Sequence, residues 1–307
     1  MAVPLPAVSS ENVRLRDVDS PLTQSGMRCV ERGDTECAER WFQAAVEAEP
    51  DSASGTEASH ERRPAPFHSD ARALKSGPLS LRLCPSCACA RRTFAAYSNL
   101  GNIKLQRGLT TESLAAFDAA VLRAPTAAIP RLNRSLALSS LGRYADALAD
   151  CAEAVRLDPL EPAAHYNAGE ASAKLGLWEE ARAYYRVAAD LEPGLAGYRF
   201  KEALALYELG RDREAVALLR GVARKLPQYA EAHAALAAAM WAQGRPEAAE
   251  TAFASAAGDA VEGGAFGGFG DRALRKAETY GDAAKGGLGW PPRLRADMEK
   301  FLKIDGN

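Results

Sequence analysis

The amino-acid sequence predicts an all-α fold: an array of about six helix pairs, each stacked on the next. Three observations predict it. Glycines recur at a spacing of 34, at Gly108, Gly142, Gly176, Gly210 and Gly244. Small and large residues and prolines follow each glycine at constant offsets. Alanine is abundant, which favours helix.

Each column has a physical reason. The glycine ends helix A of a pair and allows the tight turn into helix B. Five positions on stand Ser113, Ala147, Ala181, Ala215 and Ala249, small enough to let helix B lie close against helix A. One helical turn later Phe117, Cys151, Tyr185, Leu219 and Phe253 fill the space between the helices. Then come Ala120, Ala154, Ala188, Val222 and Ala256, which admit the next pair. Pro125, Pro159, Pro193 and Pro227 stop helix B, with Val261 in the fifth slot. A single pair cannot bury its apolar face; stacked neighbours can.

The elements follow in order. Residues 1–18 form an N-terminal extension. They lack a basic start followed by an apolar core, and they carry Glu11 and Asp17, so they do not read as a secretory or transit segment. Residues 19–52 form a first repeat, because Gly26, Gly33, Ala38, Phe42, Ala45 and Pro50 match the columns. Residues 53–93 interrupt the array with no helical period, and the register rejoins cleanly after them. They are expected to be disordered, and two origins stay open: a surface insertion, or a retained intron translated in frame. Residues 94–263 hold repeats two to six. A Gly-rich connector is expected over 264–289, then a capping helix over 290–307 that covers the open edge of the last repeat. Pro291 and Pro292 suit its first turn, and Leu294, Met298, Phe301 and Leu302 recur at helical spacing.

A period of 34 with these columns resembles the tetratricopeptide repeat (TPR) family. The family's helix-A aromatic is kept at Tyr97, and its Leu-Gly pair at Leu100-Gly101 and in part at Gly169. The resemblance implies a right-handed solenoid whose A helices line a groove for a protein or peptide partner. Carried onto this sequence, the groove residues are Leu132, Leu136, Tyr166, Phe200, Leu204, Tyr207 and Trp241. Their apolar and aromatic character suits a partner peptide or helix. The alternative is that Phe200 and Tyr207 pack inside the array.

One subfamily grips a chaperone's C-terminal carboxylate with Lys, Asn and Arg. Asn102 and Asn133 match that clamp in part, but its three basic positions hold Ser98, Ala163 and Asn167. The tail, Tyr280-Gly-Asp282 followed by Trp290-Pro-Pro-Arg-Leu294 and Phe301-Leu302, is similar to TPR proteins of plants, algae and cyanobacteria, several of them chloroplast assembly factors. This implies a plastid and assembly of a photosynthetic membrane complex; a cytoplasmic location is the default. A chaperone-tail co-chaperone and a regulatory subunit of an enzyme complex are the alternatives.

Other classes find little support. Lys and Arg total 38 against 40 Asp and Glu, and the groove is neither basic nor coded for bases, so no nucleic-acid partner is expected. No apolar run reaches the roughly 18 residues of a spanning helix. The histidines His60, His68, His165 and His233 form no catalytic or metal motif, so no enzyme activity, small-molecule substrate or cofactor is expected. Cys84, Cys87 and Cys89, with His60 and His68, make a poor zinc set, and no metal is expected there. Cys29, Cys37 and Cys151 fall in helical patterns as small core residues.

Overall fold

A computed structural model describes residues 21–48, 85–257 and 289–304. Among them are thirteen helices and no strand. Six antiparallel pairs come first: α1 (Pro21–Glu31) with α2 (Thr35–Glu47), α3 (Pro85–Gln106) with α4 (Thr110–Arg123), α5 (Ala128–Ser140) with α6 (Tyr144–Leu157), α7 (Pro162–Lys174) with α8 (Trp178–Leu191), α9 (Ala196–Glu208) with α10 (Asp212–Lys225), and α11 (Ala230–Ala242) with α12 (Pro246–Ala257). A last helix, α13, spans Pro292–Ile304. Two compact units result, one holding α1 to α4 and the other α5 to α13.

The turn between the helices of a pair is built alike each time. Gly142 shows how: its φ is 75°, a left-handed conformation that a side chain disfavours. This lets its N–H reach Ser139 O at 3.0 Å and the N–H of Arg143 reach Leu138 O at 2.9 Å. Both bonds help to satisfy the last carbonyls of α5, to which the Leu141 N–H also donates.

In the first unit Phe42 is buried against Cys29, Leu100 and Ile103. Asp34 caps α2 by accepting from the Cys37 N–H at 2.9 Å. Cys29 and Cys37 were expected as separate core residues; they are instead joined in a disulfide across the α1–α2 turn, with Cα atoms 5.7 Å apart. The turn brings residue 37 back beside residue 29, a pairing that helical periodicity does not reveal. Cys151 is buried and free.

Helix α3 begins at Pro85 and so takes in the end of the segment 53–93. Nothing after Pro85 breaks a helix, and Ala88, Ala90, Ala95 and Ala96 favour one. Cys84, His60, His68, the Gly-rich connector and the Tyr280-Gly-Asp282 motif lie outside the described residues.

In the second unit one continuous core runs through α9, α10, α11, α12 and α13. Its tail contribution is Trp290, Leu294, Met298 and Phe301, all buried. Leu294, Met298 and Phe301 recur at helical spacing, so α13 presents them along one stripe, and Trp290 stands two residues before the helix.

Candidate partner-binding groove

The A helices α5, α7, α9 and α11 carry the expected groove residues of the second unit. The structure divides them into two stretches. On α5 and α7, Leu132 is buried against Ala163 and Ala164. Leu136 and Tyr166 are half-buried. The Tyr166 ring packs on Tyr198 at 5.2 Å and on Tyr185 at 5.9 Å between centroids. Burial pushes the Tyr166 hydroxyl well above its ordinary pKa, and nearby Glu170 adds to the shift.

On α9 and α11 the outcome differs from the expectation. Phe200, Leu204 and Tyr207 are core residues with 0%, 3% and 0% of their surface exposed. Phe200 meets Tyr229 edge-on at 5.2 Å between centroids, and Tyr207 is covered by α13, which packs on α9 and α11. Its Asp297 accepts the Tyr207 hydroxyl hydrogen bond at 2.7 Å. The Arg293 guanidinium lies 4.4 Å over the Tyr207 ring and forms a two-pronged ion pair with Asp212. Arg293 also donates to the Tyr207 carbonyl, and its backbone N–H donates to Glu208 at 2.9 Å. Trp290 Nε1 donates to Glu231 at 2.8 Å. Trp241 stays half-buried and stacks on Phe301 at 5.7 Å. Phe301 also meets Phe253 of α12 edge-on at 5.2 Å.

Helix α13 therefore packs on the last repeat, through α11 and Phe253 of α12, and on α9 of the repeat before it. Sequence reasoning found its apolar stripe but not its anchors. Arg293 and Asp297 gave a faint signal, being charged residues set directly beside buried Leu294 and Met298.

A recess opens where α7, α8 and α9 meet the chain entering α13. It measures about 320 Å³. Glu170 lies on its wall, accepting from the Tyr185 hydroxyl at 2.6 Å and pairing with Lys201 at 3.1 Å. Burial works against the charge on Lys201, yet Glu170 and its neighbours raise its pKa overall. Glu231 is shifted upward by burial, opposed by its bond from Trp290 and by Lys201.

The clamp-like residues are split between units. Asn102 lies in the first and Asn133 in the second. Both have a buried Nδ2 with no hydrogen-bond partner among the described residues. Ser98, Ala163 and Asn167, where that subfamily has cations, are buried. Among the described residues no helix is long and apolar enough to cross a membrane, and no cluster of His, Cys, Asp and Glu is placed to hold a metal. His165 packs in α7 with its Nε2 3.0 Å from the Pro159 carbonyl oxygen.

The profile of the tetratricopeptide repeat family matches residues 98–162, 132–196 and 200–265. Two curated relatives from Arabidopsis thaliana are similar. The inactive TPR repeat-containing thioredoxin TTL3 is 42% identical over 66 residues, which are 22% of this chain and 10% of the relative. The TPR repeat-containing thioredoxin TTL4 is 40% identical over 65 residues, 21% of this chain and 10% of the relative. The chain thus matches only a tenth of their length. Among solved structures, a tetratricopeptide repeat protein from Parabacteroides merdae superposes with a TM-score of 0.59 at 17% identity, covering 93% of this chain and 98% of that one. MamA from Desulfovibrio magneticus RS-1 gives a TM-score of 0.50 at 18% identity, covering 53% of this chain and 92% of that one. These two similarities concern the fold.

Proposed function

Because this chain belongs to the tetratricopeptide repeat family, we propose that it is a non-enzymatic scaffold or assembly adaptor that holds a segment of a partner protein on the inner face of α5 and α7. The family's repeats are protein–protein interaction scaffolds, which supports the general reading. One observation supports the location: α13 packs on α9 and α11, while Leu136 and Tyr166 on α5 and α7 stay partly open. A half-buried tyrosine between two other rings is a rigid anchor with little entropy to lose on binding.

The test is capture of partners by the full chain carrying Leu136→Asp or Tyr166→Ala, with proteins identified by mass spectrometry. Captured proteins should fall away in both variants while helicity by circular dichroism is kept. Capture that persists in both, with the fold intact, overturns the groove. Tyr207 is a poor probe, because its substitution also loosens α13.

The finer reading, assembly of a photosynthetic membrane complex in a plastid, rests on the likeness of the tail that ends in Trp290-Pro-Pro-Arg-Leu294. Following a tagged full-length chain in a photosynthetic cell tests it. A signal outside the plastid overturns it.

A further inference from the structure

We infer that the recess between α7, α8, α9 and the start of α13 is a second subsite, which takes a carboxylate and an adjoining large apolar side chain from an acidic segment of the partner protein. The inference rests on the groove reading above and adds the chemistry of what is held.

Charge is the first argument. Four charged residues line the recess: Glu170, Lys174, Lys201 and Arg295. Glu170 and Lys201 pair with each other. Lys174 and Arg295 remain, and neither forms an ion pair among the described residues. Arg295 Nε is buried and has no hydrogen-bond partner among the described residues. A buried guanidinium donor is costly unless an acceptor meets it. A carboxylate is the protein group best matched to it, since it can accept from the fork and from a lysine together.

Shape and wall chemistry are the second argument. Trp178, Leu204 and Pro291 give the recess apolar surface beside the cations. At about 320 Å³ it lies at the small end of ligand sites, with room for one large side chain and a carboxylate. Its position fits as well. The recess adjoins α7, so a segment lying on α5 and α7 reaches it before meeting α13. The cations come from α7, α9 and α13, so the subsite is complete only when α13 is docked.

The experiment is selection of a displayed random-peptide library on the full chain. Selected peptides are then synthesised with blocked ends and titrated by fluorescence anisotropy. Variants are Lys174→Gln, Arg295→Gln and the pair, with Lys303→Gln as the control. Melting curves confirm that each variant folds. The expected result is enrichment of Asp or Glu beside a large apolar residue. Affinity should fall roughly tenfold for each cation removed, and Lys303→Gln should leave it unchanged. Blocked acidic peptides that bind only when their C-terminal carboxylate is freed move the carboxylate to the chain end and overturn the internal segment. Peptides without acidic residues, or affinities indifferent to both cations, overturn the subsite. If that binding still falls with Tyr166→Ala, the groove reading survives alone. Acidic peptides that need Lys174 and Arg295 but ignore Tyr166→Ala leave the subsite and overturn the groove. Recovery of no peptide overturns both.

Discussion

Gly101 is glycine because Phe117 leaves no room for a side chain. A Cβ built there would lie 2.5 Å from the ring. Gly26 stands in the same relation to Phe42, and Gly169 to Tyr185. In other repeats the helix-A position holds Ser135 or Ala203, and its helix-B partner shrinks to Cys151 or Leu219. In these five pairs a larger helix-A residue goes with a smaller helix-B partner, whereas the sixth sets Ala237 at the position that faces Phe253. Gly101→Ala should destabilise the chain by about 1–3 kcal/mol in urea unfolding, and adding Phe117→Leu should recover much of the loss. Gly142 offers a contrast. Nothing approaches its Cβ position within 4 Å, so the cost of Gly142→Ala comes from its φ of 75°. That cost should be about 1 kcal/mol, and no change in a neighbouring side chain should relieve it. The two kinds of glycine were unequally legible. Gly142 belongs to a strict period, visible in the sequence alone. Gly101 and Phe117 were each visible in the sequence, but that the ring of one excludes a side chain on the other shows only in the packing.

Helix α13 is the element that the repeat could not announce. A 34-residue period describes helices that pack on copies of themselves, whereas α13 has no copy, and its contacts join residues far apart in the chain. Tyr207 and Asp297 are one such pair. This is why Tyr207 reads as a groove residue and is core: its position along α9 and the helix over 290–307 were both legible, and the contact between them was not. Arg293 is the tether to test. Arg293→Ala removes the ion pair to Asp212 and the stacking on Tyr207, so it should cost about 1–3 kcal/mol and speed amide exchange in α13 before other helices. Glu231 gives the docking a pH dependence. Burial raises its pKa in the fold above the unfolded value near 4.5. The fold therefore binds this proton more tightly than the unfolded chain does. The resulting stability is full below the unfolded value and is lost as pH rises through the folded one. Gln at this position can still accept from Trp290 and carries no charge. Glu231→Gln should therefore raise the melting temperature relative to the parent as pH rises, with the gain levelling off once the carboxylate is fully ionised. A gain that shrinks with rising pH would contradict the burial argument.

At the scale of the molecule, stacked repeats share stability mainly with their neighbours, so a loss at one end should fade along the array. In the second unit Trp290 and, on α13, Leu294, Met298 and Phe301 join the core shared with α9, α10, α11 and α12. Leu132 of α5 belongs to a separate cluster with Ala154, Ala163 and Ala164. Ending the chain before Gly289 removes the first group and leaves the second intact. Hydrogen exchange of the shortened chain should show protection falling steeply in α11 and α12, less in α9, and little in α5 and α6. A uniform loss from α5 through α12 would mean that the unit unfolds as one block. The same truncation separates the functional parts. Leu136 and Tyr166 keep their surroundings, so a partner that relies on them alone should still be held. A partner whose acidic residue needs Arg295 should be lost with α13, because that cation leaves with the helix. Binding and exchange measured on one shortened chain thus distinguish a tail that only supports the array from one that also supplies part of the site.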